Sequence, residues 1–238
     1  MRHLTNVVCW TRMQAEAGQD IRSIIARKEL ERRAGDGLFF WGIGSAPSRS
    51  LRSLAATGDD IDVIFSLMKT RPKARDIAPA GLFAWRTYFD IDGAEHPLPP
   101  HVLVTSRMEI SSGTKSVHYA LMCRADEELR LGDHGPFDPL AYRNISDAGA
   151  PVSHSQVTAL VVRANPESQV SDYRINLRAR LTGSYWVRLA RPCVLTEEAR
   201  TALVAASVRA EESDGEDWIQ MVSEVIAVST KQEQFYLF

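Results

Sequence analysis

The sequence has no long hydrophobic run and only three cysteines. No apolar stretch approaches the roughly 18–20 residues that a membrane-spanning helix needs, and the N-terminal residues lack the apolar core of a signal peptide. Cys9, Cys123 and Cys193 are widely separated. This spacing argues against a disulfide framework and favours small buried side chains in a reducing compartment. We therefore expect a soluble cytoplasmic protein.

The motifs of common enzyme classes are also missing. A dinucleotide fingerprint needs a third glycine after Gly42 and Gly44, and Pro47 stands at that place instead. There is no Gly-x-Ser-x-Gly nucleophile elbow. His96 and His101 lie among prolines and not on a helix, so they do not form a helical metal pair. The sequence therefore predicts no catalytic residue, no metal and no cofactor.

Positive charge does not dominate the chain. The net charge of −2 and the pI near 6.3 lack the basicity of a dedicated duplex binder. The charge is uneven, however: residues 1–90 hold 14 Lys and Arg against 10 Asp and Glu, whereas residues 196–238 hold 3 against 9. A mildly basic front permits a local nucleic-acid surface, and an acidic end permits a docking surface for a partner.

What is present is a pattern of many short apolar strands. Strands are predicted at residues 6–10, 38–43, 61–68, 82–90, 102–106, 117–123, 155–162, 173–181 and 185–190. A turn at residues 182–183 separates the last two. Helices are predicted at residues 15–33 and 47–56, and two more begin at Thr196 and Asp214. Residues 124–153 lack clear periodicity and are predicted to be a long irregular connection.

These elements predict an α+β fold. The expected architecture is a strongly curved, barrel-like, mostly antiparallel sheet with flanking helices and a C-terminal helical pair. We expect residues 1–195 to form this domain and residues 196–238 to form an acidic helical segment packed on it. The stripe of Trp218, Met221 and Val225 in the last helix is typical of a packing surface.

The most informative stretch is an aromatic strand that ends in a glycine turn. A strand, a glycine turn and a helix start together present backbone N–H groups to an anion such as phosphate. A tight structural turn without a ligand is the alternative that the sequence leaves open. The candidate anion-binding residues are Gly42, Gly44, Ser45, Ser48, Arg49 and Arg52.

A second basic cluster follows the strand at residues 61–68. Pro72 holds this loop in an extended form, and four positive charges in seven residues can neutralise phosphates. A solvated loop is the alternative interpretation. The cluster consists of Lys69, Arg71, Lys73 and Arg75.

Three tryptophans lie on or beside the early strands: Trp10, Trp41 and Trp85. Strand tryptophans are most often core residues. Flanked by basic loops, they would instead form a stacking platform or an aromatic cage for a base.

The strand ending in Trp10, the basic helix, Gly35-Asp36-Gly37 and the strand Leu38-Phe39-Phe40-Trp41 resemble the opening of PUA-like domains. The EVE and YTH-type members are the most similar, and the resemblance covers about residues 5–125. It implies a small curved barrel that receives a flipped, modified base in an aromatic pocket. It places Trp10, Trp41 and Ser45 near the base. The residues it places near the nucleic-acid backbone are Arg49, Arg52, Lys69, Arg71 and Lys73.

The leading hypothesis is a non-enzymatic nucleic-acid-binding module that reads a modified or flipped base of DNA or RNA. One alternative is an interaction or assembly protein that docks a partner, or a second copy of itself, through its acidic C-terminal helices. Another is an enzyme acting on a nucleotide or phosphorylated substrate at the turn of residues 42–52. No membrane association is expected.

Overall fold

The structure is a computed structural model of the chain, and it describes most of the residues up to position 194. The described residues are 7–15, 19–43, 51, 52, 54, 61–68, 83–99, 102, 118–145, 158–163 and 173–194, with 198, 201, 202, 205, 220 and 224 beyond them.

The described part of the chain is rich in strands and contains one complete α-helix, α1 (Ile21–Ala34), and a 3-10 turn at Pro139–Ala141. The strands in chain order are β1 (Val7–Met13), β2 (Leu38–Gly42), β3 (Ile61–Leu67), β4 (Phe83–Phe89), β5 (Glu95–Pro97), β6 (His118–Arg124), β7 (Pro136–Phe137), β8 (Tyr142–Asn144), β9 (Thr158–Arg163), β10 (Tyr173–Arg174) and β11 (Leu177–Val194).

Nine of these strands form one sheet, and seven of them follow the order β2-β6-β11-β3-β1-β9-β8. β4 pairs with the second half of β11, and β5 pairs with β4. β1 and β3 are parallel, because the chain passes through α1 and β2 before it returns beside β1. The other pairings in the sheet are antiparallel. β7 and β10 form a separate two-stranded sheet.

Local capping defines both ends of α1. The Asp20 side chain accepts a hydrogen bond from the Ser23 backbone N–H at 2.7 Å, which satisfies one of the unpaired donors of the first turn. At the other end the Gly35 N–H donates to the Glu31 carbonyl at 2.9 Å. Gly37 then adopts a φ of +88°, and a Cβ there would lie 3.0 Å from the Ala125 carbonyl oxygen. Glycine is therefore required where the helix turns into β2.

Buried side chains form a large cluster on the side of the sheet that faces α1, here called the helix side. It includes Cys9, Phe39, Val63 and Leu121. The opposite, far side carries two smaller clusters, one around Trp10 and the other around Phe40. The sheet is thus covered on both sides, which explains why its central strands are apolar on both faces.

β11 changes faces along its length. Its register with β6 shifts between Leu181 and Trp186, where Gly183 has a φ of +56° and Tyr185 a φ of +62°. Before this bulge the odd-numbered residues face the helix side; after it, Val187 and Leu189 belong to the far side. Four β11 residues, 182–185, lie opposite one β6 residue, Met122. The bulge therefore adds three residues, and because this number is odd it reverses the alternation. It places the side chains of Trp186 and Arg188 on the helix side.

The predicted α+β barrel is wrong. In the described residues β2 and β8 lie at opposite ends of the pairing order and do not pair with each other, so the sheet is open. Nor do these residues contain the predicted C-terminal helical pair: past Val194 they are isolated helical positions that form no described element. Closure depends on which edge strands meet, and strand periodicity carries no information about that.

Two smaller predictions are also corrected. The region predicted to be an irregular connection contains β7, the 3-10 turn and β8. The turn predicted at residues 182–183 lies inside β11, where the chain forms a bulge and continues as a strand. Most of the predicted helix at 47–56 and of the strand at 102–106 lies outside the described residues, as does the packing of the C-terminal segment.

Candidate nucleic-acid interface

The three tryptophans singled out from the sequence are all buried. Trp10 is 1% exposed, and its indole Nε1 donates to the Ser66 hydroxyl at 3.1 Å. Trp41 packs edge-on against Phe65 on the helix side, and Trp85 is in the far-side cluster with Phe40. Each tryptophan therefore belongs to a different cluster, and the structure does not bring them together on one open surface.

The predicted anion-binding residues are described only in part. Gly42 is exposed at the end of β2, and Arg52 is exposed in a helical position. The others lie outside the described residues and stay predictions: Gly44, Ser45, Ser48, Arg49, Lys69, Arg71, Lys73 and Arg75.

A different set of aromatic and basic residues meets on the helix side of the sheet. Arg188 on β11 lies directly opposite Phe89 on β4 and Tyr119 on β6. Cross-strand partners share one face of a sheet, so the three side chains form a row across three strands. Trp186 lies two residues before Arg188 on the same face. We call Phe89, Tyr119, Trp186 and Arg188 the platform.

Two contacts organise the platform. The guanidinium carbon of Arg188 lies 4.2 Å from the centroid of the Phe89 ring, a cation–π contact. The rings of Tyr119 and Trp186 have centroids 5.8 Å apart and an interplanar angle of 62°, so they meet edge to face. Arg188 is exposed, and the three aromatic side chains are each partly exposed. Solvent therefore reaches an aromatic surface at this end of the sheet.

Arg188 also differs electrostatically from its neighbours. Arg191 pairs with Glu95 at 2.9 Å, and Arg180 pairs with Asp126 at 2.6 Å. Among the residues that the structure describes, no carboxylate forms an ion pair with Arg188, whose side-chain contact is the Phe89 ring. Its positive charge is thus oriented by an aromatic ring and is not neutralised by a described acid.

The hairpin of β4 and β5 supports the edge of the platform. One carboxylate oxygen of Asp90 accepts from the backbone N–H groups of Asp92 and Ala94, at 3.0 and 2.9 Å. The other lies 2.7 Å from His96 Nε2. The bond to His96, with these backbone bonds, holds the pKa of Asp90 below its ordinary value. Because Asp90 follows Phe89 directly, the closed turn restrains the strand that carries that ring.

The sequence contained part of the information needed to find the platform. Trp186 and Arg188 alternate on a predicted strand, which indicates that they share one face. Which side of the sheet Trp186 and Arg188 occupy depends on the bulge in β11. Phe89 and Tyr119 are also far from these two residues along the chain. No local pattern connects them.

Comparison of the chain with protein-family models, curated proteins and solved structures finds no match. The described residues contain no group of three or more His, Cys, Asp or Glu side chains that could hold a metal ion. They also contain no helix whose length and apolar character would let it cross a bilayer.

Proposed function

We propose that this protein is a non-enzymatic nucleic-acid-binding module that receives unpaired bases on the platform. The observation that carries the proposal is the exposed Arg188 guanidinium, stacked on Phe89 and unpaired with any described carboxylate, beside the partly exposed Tyr119 and Trp186. This combination offers planar surfaces to bases and a cation to the phosphate backbone.

The energetics favour this kind of ligand. Stacking of a base on an aromatic side chain contributes roughly 1–3 kcal/mol per base and tolerates any sequence, since every base has a π face. A cation that neutralises a phosphate releases a counterion and makes the affinity salt-dependent. Because Phe89 already orients Arg188, less side-chain entropy is lost when a ligand binds.

The platform changes where a base would bind. The hypothesis from the sequence placed it at Trp10, Trp41 and Trp85, which are enclosed in the core. A flipped base is one kind of unpaired base, and a modified base can be read in the same way. The proposal therefore still includes the reading of a modified or flipped base, and the platform is the place where it would bind. The basic residues at positions 45–52 and 69–75 would add contacts to the backbone. The relationship to PUA-like domains is likewise a proposal.

A reducing, cytoplasmic setting is part of the same proposal. Cys9 and Cys123 are free thiols buried on the helix side. Burial raises the pKa of Cys9 to about 12, so this thiol stays protonated and unreactive at neutral pH.

The decisive experiment compares two arginines on the same strand. Arg188→Ala removes the platform cation, whereas Arg180→Ala removes an arginine on the far side of β11. We expect Arg188→Ala to weaken binding of a fluorescent single-stranded oligonucleotide about tenfold at low salt, and Arg180→Ala to change it less than about twofold. Fluorescence anisotropy measures both. Absence of saturable binding to the wild-type protein, or equal losses in the two variants, would contradict the proposal.

A further inference from the structure

The platform consists of two separate stacking surfaces. The first is the Arg188 guanidinium lying on Phe89, and the second is the edge-to-face pair of Tyr119 and Trp186. Phe89 and Tyr119 are the cross-strand partners of Arg188 on its two sides, so they lie on strands that flank β11. Each surface is accessible to solvent, since all four residues are at least partly exposed.

The distance between the two stacking surfaces restricts which ligands can bind to both at once. Neighbouring strands are about 4.8 Å apart, so the Cα atoms of Phe89 and Tyr119, on the two strands that flank β11, are roughly 10 Å apart. Consecutive bases in a stacked strand are only about 3.4 Å apart. Because the two surfaces are anchored on strands this far apart, we expect two bases that occupy them to be unstacked from each other in a locally splayed strand.

We infer, on the basis of the proposed function, that the platform holds two nearby unpaired bases of one strand, one on Arg188 and Phe89 and the other on Tyr119 and Trp186. The ligand class is accordingly a single-stranded segment, in DNA or RNA. A duplex keeps its bases paired and stacked, so it presents only its backbone to the platform.

The test uses four ligands of equal backbone length: an all-thymine ten-mer, the same strand with one thymine and otherwise abasic sites, a fully abasic strand and a hairpin duplex. We expect the all-thymine strand to bind tightest and the fully abasic strand to bind at least about twentyfold more weakly, since two stacked bases are lost. The one-thymine strand should fall between them, and the duplex should resemble the abasic strand. Anisotropy titrations at one low salt concentration measure all four.

Variants of Tyr119 separate the two surfaces. Tyr119→Leu should weaken binding of the all-thymine strand about five- to tenfold. The variant's affinity for the all-thymine strand should then lie within about threefold of its affinity for the one-thymine strand, because one stacking surface remains. Tyr119→Phe keeps an aromatic ring and should retain the wild-type affinity. Circular dichroism checks that both variants fold; should Tyr119→Leu not fold, Arg188→Gln tests the other surface by the same comparison.

The outcomes distinguish this inference from the proposed function. Equal affinity for the all-thymine and one-thymine strands would overturn the two-base inference and leave the binding of one base in place. Equal affinity for the all-thymine and fully abasic strands would overturn the proposed function, because the platform would then receive no base. A duplex that binds as tightly as the all-thymine strand would overturn the selection of single strands. Absence of binding to all four ligands would overturn the proposed function itself.

Discussion

The two ends of the helix side carry positive charge in opposite ways. Under α1, Lys28 and Arg27 are buried and share the carboxylate of Glu31: Lys28 Nζ lies 2.7 Å from both of its oxygens, and Arg27 Nη1 lies 3.2 Å from one. At the other end Arg188 is exposed and contacts a ring. The covered cations have a buried acid as partner, whereas the open one has no described acid.

The difference shows what burial does to a charge. Desolvation lowers the pKa of Lys28 to about 8, although the attraction of Glu31 opposes the shift. Nearby, burial raises the pKa of the Cys123 thiol well above its ordinary value. A buried charge must be matched by the protein itself, so the cluster under α1 contributes to the architecture. An exposed charge keeps its hydration and remains accessible to a ligand.

The largest effect should come from removing the shared carboxylate. Glu31→Ala leaves two cations in the interior without this partner, and loss of one member of a buried ion pair costs about 3–5 kcal/mol. Urea denaturation should show this loss in the free energy of unfolding. Glu127→Ala, at an exposed position, is the control and should change stability by less than about 0.5 kcal/mol. A loss of under about 1 kcal/mol for Glu31→Ala would mean that the cluster does not depend on Glu31.

Arg188→Ala should show the reverse behaviour. The tenfold loss of oligonucleotide affinity expected above corresponds to about 1.4 kcal/mol of binding free energy. The free energy of unfolding should change by no more than about 0.5 kcal/mol, because the side chain is exposed. Measuring both quantities on one preparation sharpens the comparison. A stability loss as large as that of Glu31→Ala would show that Arg188 is structural.

The bulge that separates the two ends can be tested at Gly183. Its φ is +56°, and an added Cβ would lie 3.3 Å from Met122 Cε, so Gly183→Ala should destabilise the protein by about 1 kcal/mol. Gly132→Ala is the control, since Gly132 lacks a positive φ and the nearest atom belongs to the His134 side chain. Thermal denaturation of both variants measures the difference. Equal melting temperatures would show that the bulge tolerates a side chain.

A smaller effect is expected from an enclosed histidine on the far side. His118 is 6% exposed beside Trp85, and desolvation lowers its pKa below the ordinary value. The unfolded chain therefore binds this proton first as the pH falls, so folded stability declines below about pH 6.5. From pH 7 to pH 6 the expected loss is about 0.5 kcal/mol.

The matched measurement compares urea midpoints of the wild type and His118→Gln across this pH range. Other groups titrate equally in both proteins, so the variant should show the shallower decline. Parallel curves would mean that His118 is not the group responsible.

Much of the local structure could be predicted. Apolar runs and glycines indicated β2, β3 and most of α1, because side-chain periodicity and caps are properties of neighbouring residues. Local patterns could not decide whether the tryptophans form a binding surface or belong to the core. Whether Trp10 is enclosed depends on Phe137 and Tyr173, which are more than a hundred residues further along the chain.

The sequence by itself determined where most strands lie and which residues alternate within each strand, including Trp186 and Arg188. Only the tertiary structure decided that the sheet stays open, that β1 and β3 are parallel, and that Arg188 meets Phe89 and Tyr119. The physical reason is that alternation depends on backbone geometry over two residues. Register and neighbours depend instead on the packing of distant segments, and here on a single bulge that reverses the faces of β11.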